Sequence, residues 1–280
     1  MISAANISAA KNSVARPVTV LMYHAIDEAD AVGADPYYTV HRPGFAEQLR
    51  VIRAAGRVGS SVLDLLTRPS DQPAVAITFD DGHASNRHAA ETLAAVGMTA
   101  DFFVNPSSVG TIGFLTWSEL REMHAMGMSI QSHGMVHRYL NDLSPPEVRQ
   151  ELAESRDAIE QQLGAPVPLF APAGGRMPAG FARTARAAGY RAVCSSAVGF
   201  WSFRPGLLEA TEQDSKALML PRLAVLAGTH KPRFSRWVNN SRRELLVMKS
   251  RGTVLNVAKR AVGNQRYERL RQALVGGFSA

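Results

Sequence analysis

The stretch "AVAITFDDGHAS", residues 74–85, decides how the chain is interpreted. Residues 74–79 are almost all apolar and predict a buried β-strand. Two carboxylates, Asp80 and Asp81, follow directly at the carboxyl end of this strand. Adjacent negative charges repel each other and cost free energy to desolvate, so a pair of them at the end of a core strand indicates a chemical role.

Strand-like and helix-like segments alternate along the chain around this stretch. Strands are predicted at 17–24, 74–79, 99–104, 128–133, 167–175, 190–196 and 218–225, and helices at 44–56, 86–97, 116–127, 144–164 and 178–189. This alternation is typical of parallel strands joined by crossover helices, and the number of repeats favours a barrel over an open sheet. In such barrels the site lies where the strands end, which places Asp80 and Asp81 at the mouth.

Composition limits the class of protein. The chain has 280 residues, 46% of them hydrophobic and 20% charged, which indicates a globular fold with a sizeable core. A single cysteine, Cys194, excludes an internal disulfide. We see no signal-peptide pattern at the N-terminus and no apolar run of the roughly 18 residues that a membrane-spanning helix needs, so we expect a cytoplasmic protein.

Positive charge is concentrated near the C-terminus, in a chain whose net charge is +7. Only Glu244 and Glu268 oppose it there. Such a segment suits an anionic membrane surface, although a solvated basic helix would look the same. Nucleic acid is not expected as a partner, because no known reader motif is present. The basic residues are Lys231, Arg233, Arg236, Arg242, Arg243, Lys249, Arg251, Lys259, Arg260, Arg266, Arg269 and Arg271.

A second motif, "SHGMVH" at 132–137, places His133 and His137 just after the predicted strand 128–133. Residues four apart share a face on a helical turn, so both imidazoles could meet one metal ion. Two histidines and one carboxylate leave coordination positions open, which is the catalytic form of a metal site. One of the two aspartates could bind the ion while its neighbour takes a proton.

The motifs together resemble those of the polysaccharide deacetylases, carbohydrate esterase family four, in the branch linked to exopolysaccharide biosynthesis. The resemblance covers roughly residues 17–226 and implies a distorted (β/α)7 barrel with a divalent metal, usually zinc and sometimes cobalt, nickel or iron. A basic helical C-terminal extension would follow the barrel. The motifs that carry the resemblance are "VLMYHAI" (20–26), "TFDDG" (78–82), "SHGMVH" (132–137), "FAPAGG" (170–175) and "LPRLAV" (220–225).

The resemblance also implies roles for individual residues. Asp80 would be the general base, and Arg222 would orient it. The metal would be bound by Asp81, His133 and His137. A backbone N–H within Ala173-Gly174-Gly175 would hold the oxyanion that forms when activated water attacks an N-acetyl carbonyl.

Several positions depart from the family pattern. Gly134 stands where Ser or Thr is usual, and Ala171 where arginine is often found. No "L-x-H-D"-like final motif, the usual source of the general acid, is present; His230 is the nearest replacement. His24 is a second candidate, for substrate contact or for shaping the rim. Trp201 is predicted either to stack on a sugar or to lie in a loop folded over the core edge.

The sequence therefore predicts a tail at 1–16, a deacetylase-like barrel at 17–230 and the extension at 231–280. The expected function is metal-dependent removal of N-acetyl groups from amino sugars of a glycan or lipid-linked glycan in surface-polysaccharide biosynthesis. One alternative is an amidase or deformylase acting on another non-peptide C–N bond. The other is an inactive carbohydrate-binding barrel, which the missing final motif favours and the intact aspartate and histidine set opposes.

Overall fold

The computed structural model describes residues 15–27, 31–68, 72–203, 214–248 and 250. Its described strands form one sheet in the order β10-β1-β3-β4-β5-β6-β7-β9, with β2 beside β3 and β8 beside β1. All pairings are parallel except that of β8. The strands are β1 (Arg16–Tyr23), β2 (Val58–Ser60), β3 (Ala74–Phe79), β4 (Asp101–Val104), β5 (Ser129–Ser132), β6 (Leu169–Phe170), β7 (Ala192–Cys194), β8 (Trp201–Phe203), β9 (Leu218–Leu220) and β10 (Leu223–Ala224).

The sheet curves into the nearly closed barrel that the sequence predicts. Its two end strands, β9 and β10, are consecutive in the chain and separated only by Pro221 and Arg222. Proline has no N–H to donate to a neighbouring strand, which fits the break between β9 and β10 within the predicted strand 218–225. The chain itself therefore joins the two edges of the sheet.

Helices cover the outside of the barrel and connect the strands. Two of them begin with capping boxes, at Thr116 and Ser144. The helix bounds are α1 (Arg42–Ala54), α2 (Val62–Thr67), α3 (Asn86–Ala95), α4 (Trp117–Ala125), α5 (Pro145–Leu163), α6 (Phe181–Ala187) and α7 (Lys231–Val238).

Three elements were not predicted: β2, α2 and β8. Each is too short for hydrophobic periodicity to reveal it. The predicted strand at 167–175 is also shorter than expected. Only Leu169–Phe170 is a strand, and a 3₁₀ turn at Ala173–Gly175 follows it.

Side chains alternate between the inside of the barrel and the helix layer. Ala74 and Ala76 of β3 belong to a buried cluster that also takes side chains from β1, β4, β6, β7 and β9, so this face of β3 points inward. Successive residues of a strand point to opposite faces, so Thr78 and Asp80 continue the inward face. Apolar side chains fill the lower barrel, and polar ones occupy its upper layer.

The compact barrel unit extends to Asn240. The sequence had placed residues 231–240 in the extension, but α7 packs on the barrel through Phe234, Trp237 and Val238, which are buried. Thr19 of β1 donates a hydrogen bond to the Trp237 carbonyl at 2.6 Å. Apolar burial against the barrel explains this difference.

The second unit begins at Ser241, and its residues 242–248 are helical. The rest of the predicted extension, residues 251–280, and most of the predicted tail, residues 1–14, lie outside the described residues. Within the described parts of the chain, no helix combines the length and apolar character needed to cross a bilayer.

Candidate active site

Asp80 and Asp81 lie at the carboxyl end of β3, as predicted. Asp80 is buried, and its N–H donates to the Tyr23 carbonyl of β1 at 2.9 Å. Asp81 and Gly82 both have left-handed backbones, with φ of 75° and 73°. A non-glycine residue rarely adopts this conformation. The turn brings the Asp81 carboxylate toward the histidines that follow β5.

His133 is buried and held on several sides. Its Nδ1 lies 2.8 Å from the Ala171 carbonyl, and its backbone N–H donates to the Val104 carbonyl at 2.9 Å. The carbonyl can only accept, so Nδ1 carries a proton, and Nε2 is the nitrogen that faces Asp81 and can bind a metal ion when it is deprotonated. That Nε2 lies 3.2 Å from Oδ1 of Asp81.

His137 completes the group. Its Nε2 is also 3.2 Å from Asp81 Oδ1, and its side chain is 46% exposed. The two imidazoles do not share a helical turn, which corrects the geometry expected from their spacing. A loop brings them together, with left-handed backbone at Gly134 (φ 88°) and at His137 (φ 53°).

The three side chains fit a divalent metal. One ligand atom from each of Asp81, His133 and His137 lies within 4.8 Å of the others. Asp81 Oδ1 is buried without a well-formed hydrogen bond, between two imidazole nitrogens. Burial alone would raise the pKa of Asp81, but the contacts with His133 and His137 hold it well below its usual value. Two nitrogens and one oxygen with an open side match a catalytic zinc-type donor set.

Arg222 and Asp80 form a buried, two-point ion pair. Nη1 lies 2.6 Å from Oδ1 and Nη2 lies 2.8 Å from Oδ2. The guanidinium is fixed further by Nη1 to the Thr78 hydroxyl at 3.1 Å and by Nε to the Ser195 carbonyl at 3.2 Å. Burial raises the pKa of Asp80, but the charge and hydrogen bonds of Arg222, together with the charges of His133 and His24, outweigh this, so the pKa is lowered overall. Asp80 is therefore an ionised carboxylate at neutral pH.

His24 follows β1 and lies beside the same group. Its Nδ1 is buried and has no hydrogen-bond partner in the described structure, and its ring stacks at a tilt on Tyr38 at 4.4 Å between centroids. Burial lowers the pKa of His24, while the charges of Asp81 and Asp80 act against this. His24 is thus an imidazole that lies next to the two aspartates. It is not one of the three residues suited to bind a metal ion.

The turn Ala173–Gly175 lies next to His133, through the hydrogen bond to Ala171. Gly175 donates its N–H to the Pro172 carbonyl at 2.8 Å. Among the described hydrogen bonds neither Ala173 nor Gly174 has an N–H partner, so these two are the donors that the turn can offer an oxyanion.

The structure does not bring two predicted residues into this group. Trp201 lies on β8, pairs with Val18 near the start of β1 and belongs to the buried cluster, so it closes the end of the barrel opposite the mouth. Trp201 is buried at the core edge, but on a strand and not in the loop that was expected. His230 is exposed at the N-cap of α7, with no hydrogen bond to the aspartates or histidines of the site.

Sequence reasoning missed Asn105 and Tyr139. Asn105 is buried after β4, and its amide donates to the carbonyls of His133 and Gly134 at 2.8 and 3.0 Å. Tyr139 lies at the rim, with the Arg176 guanidinium 4.2 Å from its ring centroid. The position of Asn105 directly after a parallel strand was a usable signal for a role at the mouth. No local pattern marks Tyr139.

Comparison with known proteins agrees with this architecture. Residues 67–193 match the family model "Polysaccharide deacetylase". A Bacillus subtilis (strain 168) protein named YxkH and described as a candidate polysaccharide deacetylase is 30% identical over 148 residues, which is 50% of each chain. The peptidoglycan-N-acetylglucosamine deacetylase of Bacillus cereus is 28% identical over 127 residues, 45% of this chain and 57% of that protein.

A solved structure shows the same fold. The crystal structure of a candidate polysaccharide deacetylase from Bacillus anthracis superimposes with a TM-score of 0.69 at 23% identity, covering 80% of this chain and 69% of that one. Fold and site together define a barrel with a two-histidine, one-carboxylate group at its mouth. Over residues 67–193 the chain is similar to the polysaccharide deacetylase family. It spans about half the length of the curated relatives that it matches.

Proposed function

We propose that the chain is a metal-dependent deacetylase that removes N-acetyl groups from amino sugars of a glycan. One observation carries the proposal: an ionised, arginine-paired aspartate stands directly beside an Asp–His–His group suited to a divalent ion. A carboxylate that acts as a base next to a metal ion must not itself bind that ion. Buried Asp80, paired with Arg222, meets this requirement.

A divalent ion, zinc by donor type, held by Asp81, His133 and His137 would supply Lewis acidity to the acetyl carbonyl and to a water molecule. Asp80 takes a proton from that water as its oxygen forms a bond to the carbonyl carbon. The N–H groups of Ala173 and Gly174 stabilise the negative charge that develops on the carbonyl oxygen. Arg222 keeps Asp80 ionised and fixes both of its oxygens.

Breaking the C–N bond requires a proton on the leaving nitrogen. His24 is the proposed donor, because it lies beside Asp80 and Asp81 and its buried Nδ1 has no other described partner, and the proton that it passes on is the one that Asp80 takes from water. This role replaces the one expected of His230, which is exposed at the start of α7. Acetate and a free amine are the products.

The substrate class follows from the relatives. One is named for a polysaccharide and the other for the N-acetylglucosamine of peptidoglycan. We therefore propose an N-acetylated polysaccharide or lipid-linked glycan of the cell surface, with surface or exopolysaccharide biosynthesis as its setting. Contact of the basic segment 231–280 with an anionic membrane stays a prediction, which vesicle co-sedimentation of the full chain tests against a variant carrying Arg242→Glu and Arg243→Glu.

The proposal is tested by metal content and turnover, measured on the same preparations. Wild type should bind about one divalent ion and release acetate from an N-acetylglucosamine oligomer. Asp80→Asn should keep the ion and lose turnover, whereas His137→Ala should lose both. If wild type binds no divalent ion at micromolar concentration, the proposed mechanism is wrong and a binding role becomes the better description.

A further inference from the structure

The two histidines of the site are held very differently. His133 is buried, and its ring, its N–H and its carbonyl all make hydrogen bonds within the barrel. His137 is 46% exposed, and in the described structure its ring makes no polar contact other than that with Asp81. The position of His137 therefore depends on the backbone of the loop that carries it.

A buried carboxylate from α5 holds that loop. Glu151 is 8% exposed, and its Oε1 accepts the N–H of Val136 at 2.8 Å. Val136 is the residue immediately before His137, so this bond fixes the peptide that leads into the ligand. Glu151 lies on the buried face of α5 with Val148, Leu152 and Ser155, which keeps its backbone in place.

The loop is shaped to admit this carboxylate. Gly134 has φ of 88°, and a Cβ at this position would lie 3.0 Å from Glu151 Oε1. Glycine therefore serves two purposes: it adopts the left-handed backbone and it leaves room for the carboxylate. Gly134 stands where the family usually has Ser or Thr, and the carboxylate of Glu151 packed against it explains why a side chain is not accommodated there.

Glu151 makes no ion pair within the part of the chain that the structure describes. Among the described residues, no Lys, Arg or His side chain lies within ion-pair distance of its carboxylate. A buried carboxylate is costly to desolvate unless it is hydrogen-bonded or compensated by charge. The bond to Val136 N–H meets part of this need.

We propose that Glu151 is a positioning residue for the metal centre: by accepting the Val136 N–H, it fixes the loop 134–137 and sets the His137 imidazole toward Asp81. The inference deepens the proposed function and rests on it for the metal. The loop itself is a property of the metal-free protein, so it can be measured separately.

The first test is metal affinity, with Zn²⁺ and Co²⁺ titrated into the full metal-free chain. Outer residues that orient metal ligands typically contribute about 10–100-fold to affinity. Glu151→Ala should weaken binding by that range, and Glu151→Gln, whose amide oxygen can still accept the N–H, should restore most of it. Glu154→Ala, an exposed position on the same helix, is the matched control and should bind as wild type does. Equal losses for Glu151→Ala and Glu151→Gln, or no loss for either in a folded protein, would overturn the proposal.

The second test requires no metal. Amide hydrogen exchange of the metal-free chain should show Val136 protected in wild type and Glu151→Gln, and exposed in Glu151→Ala. Protection that survives Glu151→Ala would contradict the role of the carboxylate. If wild type shows this protection but binds no metal, the proposed function fails while the loop contact stands.

Discussion

The Arg222 guanidinium donates hydrogen bonds to both carboxylate oxygens of Asp80, at 2.6 and 2.8 Å, although the two residues are 142 positions apart in the chain. Both side chains are almost completely buried. An ion pair of this geometry fixes the direction of the carboxylate as well as its charge. The charge and direction of this carboxylate are therefore set by a residue that is distant in the sequence and lies at the joint between β9 and β10.

Replacing Arg222 should move the pH dependence of turnover. Burial raises the pKa of Asp80 and Arg222 is the main group that lowers it, so Arg222→Met should leave the pKa higher than in wild type. The acidic limb of kcat/KM should shift to higher pH, because the base is then protonated over a wider range. Arg222→Lys, which keeps the charge but loses the two-point contact, should shift it less. A limb that does not move in Arg222→Met would contradict this role.

The same change should reduce stability. Removing one partner of a buried ion pair typically costs about 3–5 kcal/mol. Arg222→Met is therefore expected to lower the free energy of unfolding by that order in urea denaturation at pH 7. Asp80→Asn should cost less, because its amide oxygen can still accept from the guanidinium. Turnover must be compared at a temperature where circular dichroism shows every variant folded.

His24→Ala should lower kcat by about 10²–10⁴-fold, the range expected for loss of a general acid. The bound metal should remain, because His24 is not among the three grouped ligands. His230→Ala is the matched control and should keep wild-type kcat, since His230 is exposed at a helix start. Loss of activity in His230→Ala with retention in His24→Ala would reverse the assignment.

Variants of Trp201 and Tyr139 should distinguish an effect on protein stability from an effect on substrate binding. Trp201→Ala is expected to cost about 3–5 kcal/mol of unfolding free energy, because a buried aromatic leaves a cavity at the closed end of the barrel. Its KM should be unchanged in the folded protein. Tyr139→Ala, at the rim, should raise KM with little effect on the urea midpoint. A raised KM for Trp201→Ala at full stability would place Trp201 at the mouth after all.

Asp101 should make stability depend on pH. It is buried at the start of β4, where it accepts the N–H groups of Val62 and Leu63 at 2.5 and 3.3 Å. Burial raises its pKa from 3.8 to about 7, against the opposing effect of these donors. The folded state therefore binds the proton more tightly than the unfolded state does.

It follows that the contribution of Asp101 to stability falls as pH rises from about 4 to about 7 and is constant above. Urea midpoints at pH 5 and pH 8 measure this. Asp101→Asn should reduce the difference between the two pH values, because the titrating group is gone. An unchanged difference would mean that other groups dominate the pH dependence.

The grouping of Asp81 with the two histidines could be predicted because its signal is local. The residues that follow a parallel strand lie at the mouth of the barrel. This property alone places Asp80, Asp81 and His133 there, without knowledge of the residues that they contact. The loop geometry could not be predicted in the same way. The spacing of His133 and His137 suggested a helical turn, whereas left-handed backbone at Gly134 and His137 brings the rings together.

The positions of Trp201 and His24 depend on contacts between strands that are distant in the sequence. Trp201 lies at the closed end because β8 runs antiparallel beside β1, and nothing in three residues indicates the partner or the direction of a strand. The proposed proton donor, His24, is close to Asp80 because β1 and β3 are adjacent in the sheet. Motif order along the chain favoured His230, which follows the last strand but lies on the outside of the barrel unit.

The joint between β9 and β10 has a consequence for the order in which the protein acquires activity. Arg222 lies at this joint, so the ribosome must have made nearly the whole barrel before the base can meet its partner. A chain that ends before β10 could assemble the aspartates and both histidines, yet its Asp80 would lack the cation that keeps it ionised at the mouth. The two-point contact between Arg222 and Asp80 is thus expected to form only with closure of the barrel.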